Sequence, residues 1–201
     1  KPSPQKAYAL DSEQELRLLP EEWSWVSFGE LIVSVKNGLY KPSSEYGSGS
    51  EIIRIDDFYD GHIREGGYFK LVSVSASESV DYMLEEGDLL VNRVNSIEYL
   101  GKVGLVQGRH AGMLFESNIM RLQFVSDSLE PKLYATYLST AEGISSITRN
   151  AKHAVNQASI NQTDVLTTPV PLMPREESEA ILEYLARKIH KKRRISFNQL
   201  I

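Results

Sequence analysis

Residues 86–106 read EGDLLVNRVNSIEYLGKVGLV, and this stretch decides the fold. Asp88 to Asn92 and Lys102 to Val106 are short apolar runs, and a polar stretch from Asn92 to Lys102 separates them. Runs this short, bounded by Gly87 and Gly101, read as buried strands, which makes the polar stretch a loop between two strands. Working outward, Glu51 to Ile55 and Tyr68 to Val72 read as further strands, with a turn at Asp56 to Gly61. In Ile119 to Phe124, Met120, Leu122 and Phe124 alternate onto one face. Upstream, Trp23 to Phe28 alternates aromatics with serines and reads as a short strand pinning the start of the core. Asn37-Gly38 is a turn signal, and Leu39 to Ser50 reads as a polar, glycine-punctuated loop. Downstream, Pro131 opens a helix carrying Tyr134, Tyr137 and Leu138, and Gly143 is expected to break it from a second helix at Ile144 to Ile147. Pro169, Pro171 and Pro174 read as an extended connector that sets apart a last helix with the stripe Ile181, Leu182, Leu185 and Ile189. The predicted class is α+β (mixed): a curved, mainly antiparallel β-sheet domain with flanking short helices, followed by a projecting C-terminal helix. The expected divisions are a leader at 1–19, a domain at 20–172 and the helix at 173–201.

The 201 residues are 41% hydrophobic and 24% charged, enough for one sizeable core. With no cysteine, disulfides and thiolate metal sites are excluded, and a cytoplasmic protein is expected. No apolar run reaches membrane-span length, so no membrane association is expected. The formal charge of −5 is unevenly spread. Arg187, Lys188, Lys191, Lys192, Arg193 and Arg194 form a basic block with no acid after it, and the preceding residues hold 16 bases against 27 acids. Phosphates respond to the local field of one face, so the sum leaves nucleic-acid binding open.

The chain has no P-loop, dinucleotide fingerprint, nucleophile elbow or zinc-protease motif. Its four histidines, His62, His110, His153 and His190, lack ligand spacing, and no metal is expected. Two stretches are instead rich in neutral hydrogen-bonding side chains. Asn92 to Lys102 carries Arg93, Asn95, Ser96 and Lys102. Lys152 to Thr163 carries Lys152, His153, Asn156, Gln157 and Asn161. Asn and Gln match adenine edges, Arg and Lys match guanine or phosphate, and Ser and Thr serve either. Singly, each of these residues reads as a cap or turn former; together they point to readout without catalysis.

The ordered motifs resemble one target-recognition domain, with its following conserved helix, of the specificity subunit of type I restriction-modification enzymes. The residues that carry the likeness are Leu19 to Glu30, Glu86 to Arg93 followed by Gly101-Lys102-Val103, Asn156 to Val165, and Pro169 to Pro174 with the acidic helix start. Glu177-Ser178-Glu179 stands where the family carries a glutamine. The resemblance implies a non-catalytic reader of one half of a bipartite DNA target. Its expected partners are double-stranded DNA and the methylation and restriction subunits. S-adenosylmethionine is expected on the methylation subunit, and no cofactor on this chain. Lys36, Asn37, Lys41, Ser43 and Ser44 join the two polar stretches as expected DNA contacts, with Lys36, Lys41, Arg93, Lys102 and Lys152 as phosphate holders. The helix stripe is expected to pair with a second recognition domain or a second copy of the chain. Two other readings stay open: a carbohydrate- or ligand-binding module supported by dispersed tyrosines and the acids Asp56, Asp57 and Asp60, and an assembly module without DNA affinity.

Overall fold

The computed structural model describes residues 18–126 and 129–198, the last ten by backbone alone. Most of the expected leader therefore lies outside the described residues. The central element is a six-stranded sheet in the order Ile32–Asn37, Ile119–Phe124, Leu89–Asn92, Val103–Leu105, Gly61–Ile63, Phe58–Tyr59. Every pairing in it is antiparallel except that of Gly61–Ile63 with Val103–Leu105. The predicted mixed α+β class with a mainly antiparallel sheet is therefore what forms.

Alternation along the strands explains why both faces are covered. Leu89, Val91, Met120 and Leu122 point into one core with Phe28, Tyr134, Leu138 and Ile147, most of them from the flanking helices. Leu90 and Ile119 point the other way, into a second core with Ile53, Phe58 and Phe115. Leu89–Asn92 is buried at all four positions, as a strand sandwiched between two layers must be. Burying one such leucine or valine side chain is worth about 1.5–3 kcal/mol, so these alternating positions dominate the choice of register.

The second layer is a three-stranded sheet, Leu114–Phe115, Tyr46–Ile53 and Lys70–Val72, beside the helix Ala76–Tyr82. Here the structure corrects the sequence reading, because the expected loop to Ser50 ends at the 3-10 turn Ser43–Glu45 and a strand begins at Tyr46. Gly47 and Gly49 do not interrupt that strand; with φ of 117° and 104° they bulge it, so that Tyr46 and Ser50 both face Val72. A second correction concerns Gly143. The helices Pro131–Leu138 and Ala141–Ile147 part at Ser139 and Thr140, where the Thr140 side chain caps the second helix. Gly143 sits inside that helix because a Cβ there would lie 2.3 Å from the Tyr137 carbonyl oxygen.

The proline-rich stretch is also more than a connector. Pro169–Leu172 is a strand antiparallel to Ser24–Ser27, pairing Trp25 with Pro171 and Ser27 with Pro169. Prolines two residues apart turn the same donor-free edge outward and leave Val170 and Leu172 to face the partner strand. The helix Arg175–Asn198 follows directly. Its first turns are tied to the body: Trp23 Nε1 donates to Glu177 at 2.7 Å, Arg175 lies 3.5 Å from Glu130, and Ser178 is buried. Ile181, Leu182 and Leu185 are half-buried, whereas the side chain of Ile189 and those of the basic residues 191–194 lie outside the described residues. Among the described residues no helix is long and apolar enough to cross a membrane.

Candidate nucleic-acid interface

Strand register gathers the polar stretches at one end of the central sheet. Asn37 pairs with Met120, Ile119 with Asn92, and Val91 with Val103, so Asn37, the Ser117–Asn118 turn, Asn92, Arg93 and Lys102 all emerge at the same edge. The stretch 152–159 arrives there as a hairpin, Lys152–Ala154 and Gln157–Ser159, whose second strand pairs with Val94–Asn95. Backbone bonds lock the junction: Arg93 N–H donates to Asn118 O at 2.8 Å, and Ile160 N–H donates to Arg93 O at 3.0 Å. Gln162 Nε2 reaches Asn37 Oδ1 at 3.5 Å. Three segments distant in sequence thus share one surface.

The side chains at this end divide into engaged and free. Lys36 donates to the Asp81 carbonyl at 2.9 Å and stacks over the Tyr82 ring, and Lys41 is 3.0 Å from Glu78. Lys102 is held over the rings of Tyr59 and Tyr99, at 3.8 and 4.6 Å, and burial lowers its pKa although Asp56 and Asp60 oppose the shift. Arg93 donates through Nη1 to Ser117 O at 3.2 Å. Asn161 caps the helix Gln162–Leu166 by accepting from Asp164 N–H, and Asn95 Oδ1 accepts from Ser96 N–H. Asn156 takes the left-handed backbone of the hairpin turn, φ 62°, which asparagine tolerates better than most residues. Lys152, His153, Asn156, Gln157, Ser43 and Ser44 are exposed, and among the described residues their side chains make no hydrogen bond or ion pair.

Two buried polar atoms at this edge, Asn92 Oδ1 and Arg93 Nε, have no partner within the protein. A third such atom, Arg121 Nε, lies at the other end of the sheet, 4.0 Å from Asp88, so orphaned atoms do not set this end apart. Two open clefts lie at this end of the sheet. One, of about 330 Å³, is lined by Ser96, Glu98, His153, Asn156 and Gln157. The other, of about 390 Å³, is lined by Tyr40, Lys41, Ser43, Lys70, Ser117 and Asn118 together with the ion pair of Arg54 and Glu116. Sequence reasoning missed Tyr40, Lys70, Ser117 and Asn118. A signal existed for the last two, a polar Glu116-Ser117-Asn118 run between apolar Phe115 and Ile119, but their neighbours appear only once the strands are paired.

Acids and bases are mixed at this end, with Glu98 and Glu116 among its lysines and arginines, whereas acids gather at the opposite end. A cleft of about 480 Å³ there is lined by Glu85, Glu86, Asp88 and Glu130. The acids that would support a carbohydrate site do not form a dyad: Asp57 is tied to Arg64 at 2.7 Å and accepts from Arg54 N–H at 2.8 Å. Among the described residues no group of three or more His, Asp or Glu is arranged to hold a metal ion.

Comparison with known proteins finds similar chains. The chain is 30% identical over 173 residues to a putative type I restriction enzyme specificity subunit, MjaX, of Methanocaldococcus jannaschii, covering 86% of this chain and 40% of that protein. It is 27% identical over 159 residues to the EcoKI specificity subunit of Escherichia coli K12, covering 78% of this chain and 34% of that one. The chain is a homologue of the type I restriction specificity subunits. The fold agrees: the crystal structure of the HsdS subunit from Thermoanaerobacter tengcongensis superposes with a TM-score of 0.57 over 89% of this chain and 40% of that one, at 24% identity. No family model matches the sequence. This specificity-subunit homologue spans about 40% of the length of MjaX.

Proposed function

We propose that this specificity-subunit homologue is a DNA-reading domain that recognises a short segment of duplex through the polar end of its central sheet. The observation that carries the reading is the convergence of the Asn37, Arg93–Lys102 and Lys152–Gln162 segments on one edge, in a chain homologous to specificity subunits. The acidic cleft at the opposite end supports it, because it turns phosphates away and leaves one edge to approach DNA. The division of labour follows from what is free. Lys152, His153, Asn156 and Gln157 face solvent ready to bond. Lys36, Lys41 and Lys102 hold the site's shape through their internal partners, and Arg93 spans both roles.

The domain carries no catalysis of its own in this reading. Residues 20–172 supply the recognition domain and 173–201 the conserved helix. The methylation subunit brings S-adenosylmethionine, and the restriction subunit cuts. The stripe Ile181, Leu182, Leu185 and Ile189 pairs with the matching helix of a second recognition domain or of a second copy, rebuilding a bipartite reader in the cytoplasm. A lone domain therefore binds weakly, because half a site forfeits the gain of linked halves.

Titration of the chain with labelled duplex DNA across a salt series tests this. Affinity is expected to fall steeply with salt, and Lys152→Ala to lower the slope of log K against log salt by about 1 at an unchanged melting temperature. Binding independent of salt, or none by a folded protein, contradicts the reading.

A further inference from the structure

Among the residues the sequence did not single out, Asn118 has the placement a base-reading contact needs. Its backbone is fixed on both sides: its own carbonyl accepts from Arg93 N–H at 2.8 Å, and the carbonyl of Ile119 accepts from Gly38 N–H at 2.9 Å. The Arg93 guanidinium closes the turn by donating to Ser117 O at 3.2 Å. The carboxamide of Asn118, by contrast, is half-buried on the wall of the Lys41 cleft and, among the described residues, makes no hydrogen bond. Asn92, the other amide at the centre of this edge, is fully buried and spends its Nδ2 donor on the Tyr99 carbonyl at 3.0 Å.

A rigid backbone that presents a free amide offers one donor and one acceptor in a fixed fork, the pattern that matches the N6 and N7 of adenine in the major groove. The same cleft holds Lys70, exposed and without an ion-pair partner among the described residues, whereas Lys41 beside it is neutralised by Glu78. Tyr40 on its rim is 76% exposed.

We propose that Asn118 is a specificity-determining residue that reads an adenine in the major groove, with Lys70 holding a phosphate on the flank of the same cleft. This rests on the DNA-reading function proposed above. The test takes the full-length chain, wild type, Asn118→Ala and Lys70→Ala, and titrates each with the wild type's preferred duplex and with duplexes changed one base pair at a time, at two salt concentrations. Asn118→Ala is expected to weaken binding to the preferred duplex about ten- to a hundredfold and to erase the preference at one A·T pair, leaving the other positions unchanged. Lys70→Ala is expected to weaken all duplexes alike and to lower the salt slope by about 1. Asn118→Leu, close in shape but without a hydrogen-bonding group, is the second variant should Asn118→Ala melt early, with the same loss expected. Retention of discrimination at every position by the Asn118 variants, or equal weakening on all duplexes, overturns the assignment while leaving the DNA-reading function standing. A wild-type chain that prefers no duplex brings down that function and this assignment with it.

Discussion

Gly38 illustrates how a single atom governs the polar end. The sequence marks Asn37-Gly38 as a turn, and a turn glycine is ordinarily needed for its backbone freedom. Here the need is space: a Cβ on Gly38 would lie 2.1 Å from the Glu116 carbonyl oxygen and 2.6 Å from that of Phe115, both backbone atoms that cannot swing aside. The contact holds the Asn37 turn against the Ser117–Asn118 turn, and Glu116 is in turn fixed by its bonds to Arg54 and to Ile55 N–H at 3.0 and 2.8 Å. Gly38→Ala is therefore expected to cost about 1–3 kcal/mol by overpacking, read as a lower urea midpoint, and to separate the two turns. A midpoint equal to the wild type's would contradict this account of the edge. Such a role was not legible in the sequence, because the crowding comes from residues nearly eighty positions away along the chain. The chemical type of the edge residues was legible; which of them are free was not, since the partners of Lys36 and Lys41, Asp81 and Glu78, lie on a helix the periodicity did not reveal.

At the scale of elements, a short apolar run at Leu89–Asn92 and a clear alternation at Ile119–Phe124 were both read correctly as strands. Failures cluster where glycine or proline was taken as a break. Gly47, Gly49 and Gly143 each stand inside a regular element, the first two in a bulge and the third under a crossing backbone, and Pro169–Leu172 is a strand because only its outward edge lacks donors. Glycine and proline mark special geometry, and whether that geometry ends an element depends on the neighbouring strand. The hairpin of Lys152–Ala154 and Gln157–Ser159 depends on such a position, Asn156 at φ 62°. Asn156→Gly is expected to leave the melting temperature near that of the wild type, whereas Asn156→Val, a β-branched residue in left-handed backbone, costs about 1–3 kcal/mol. Equal melting of both variants would show that the turn is not held in this conformation. The pair also separates shape from contact, since the glycine variant keeps the hairpin but lacks the amide.

For the whole molecule, the sum of charges misleads and their arrangement informs. A chain of net charge −5 places Glu85, Glu86, Asp88 and Glu130 at one end of its sheet and the free Lys70, Lys152, Asn118 and Gln157 at the other. The polarity arises because the two central strands are antiparallel neighbours, so that one end collects the acidic turn before Leu89 and the other the amides after Asn92 and before Ile119. The sequence carried both groups of residues and the family resemblance. It could not reveal that they lie at opposite ends, which is a property of strand register. That the polar end reads DNA sequence is tested most directly by selection from a pool of random duplexes by the purified chain, alone and with a type I methylation subunit. Enrichment of a motif of a few base pairs, sharper with the methylation subunit present, is the predicted result. A well-folded chain that enriches no motif under either condition would contradict the account.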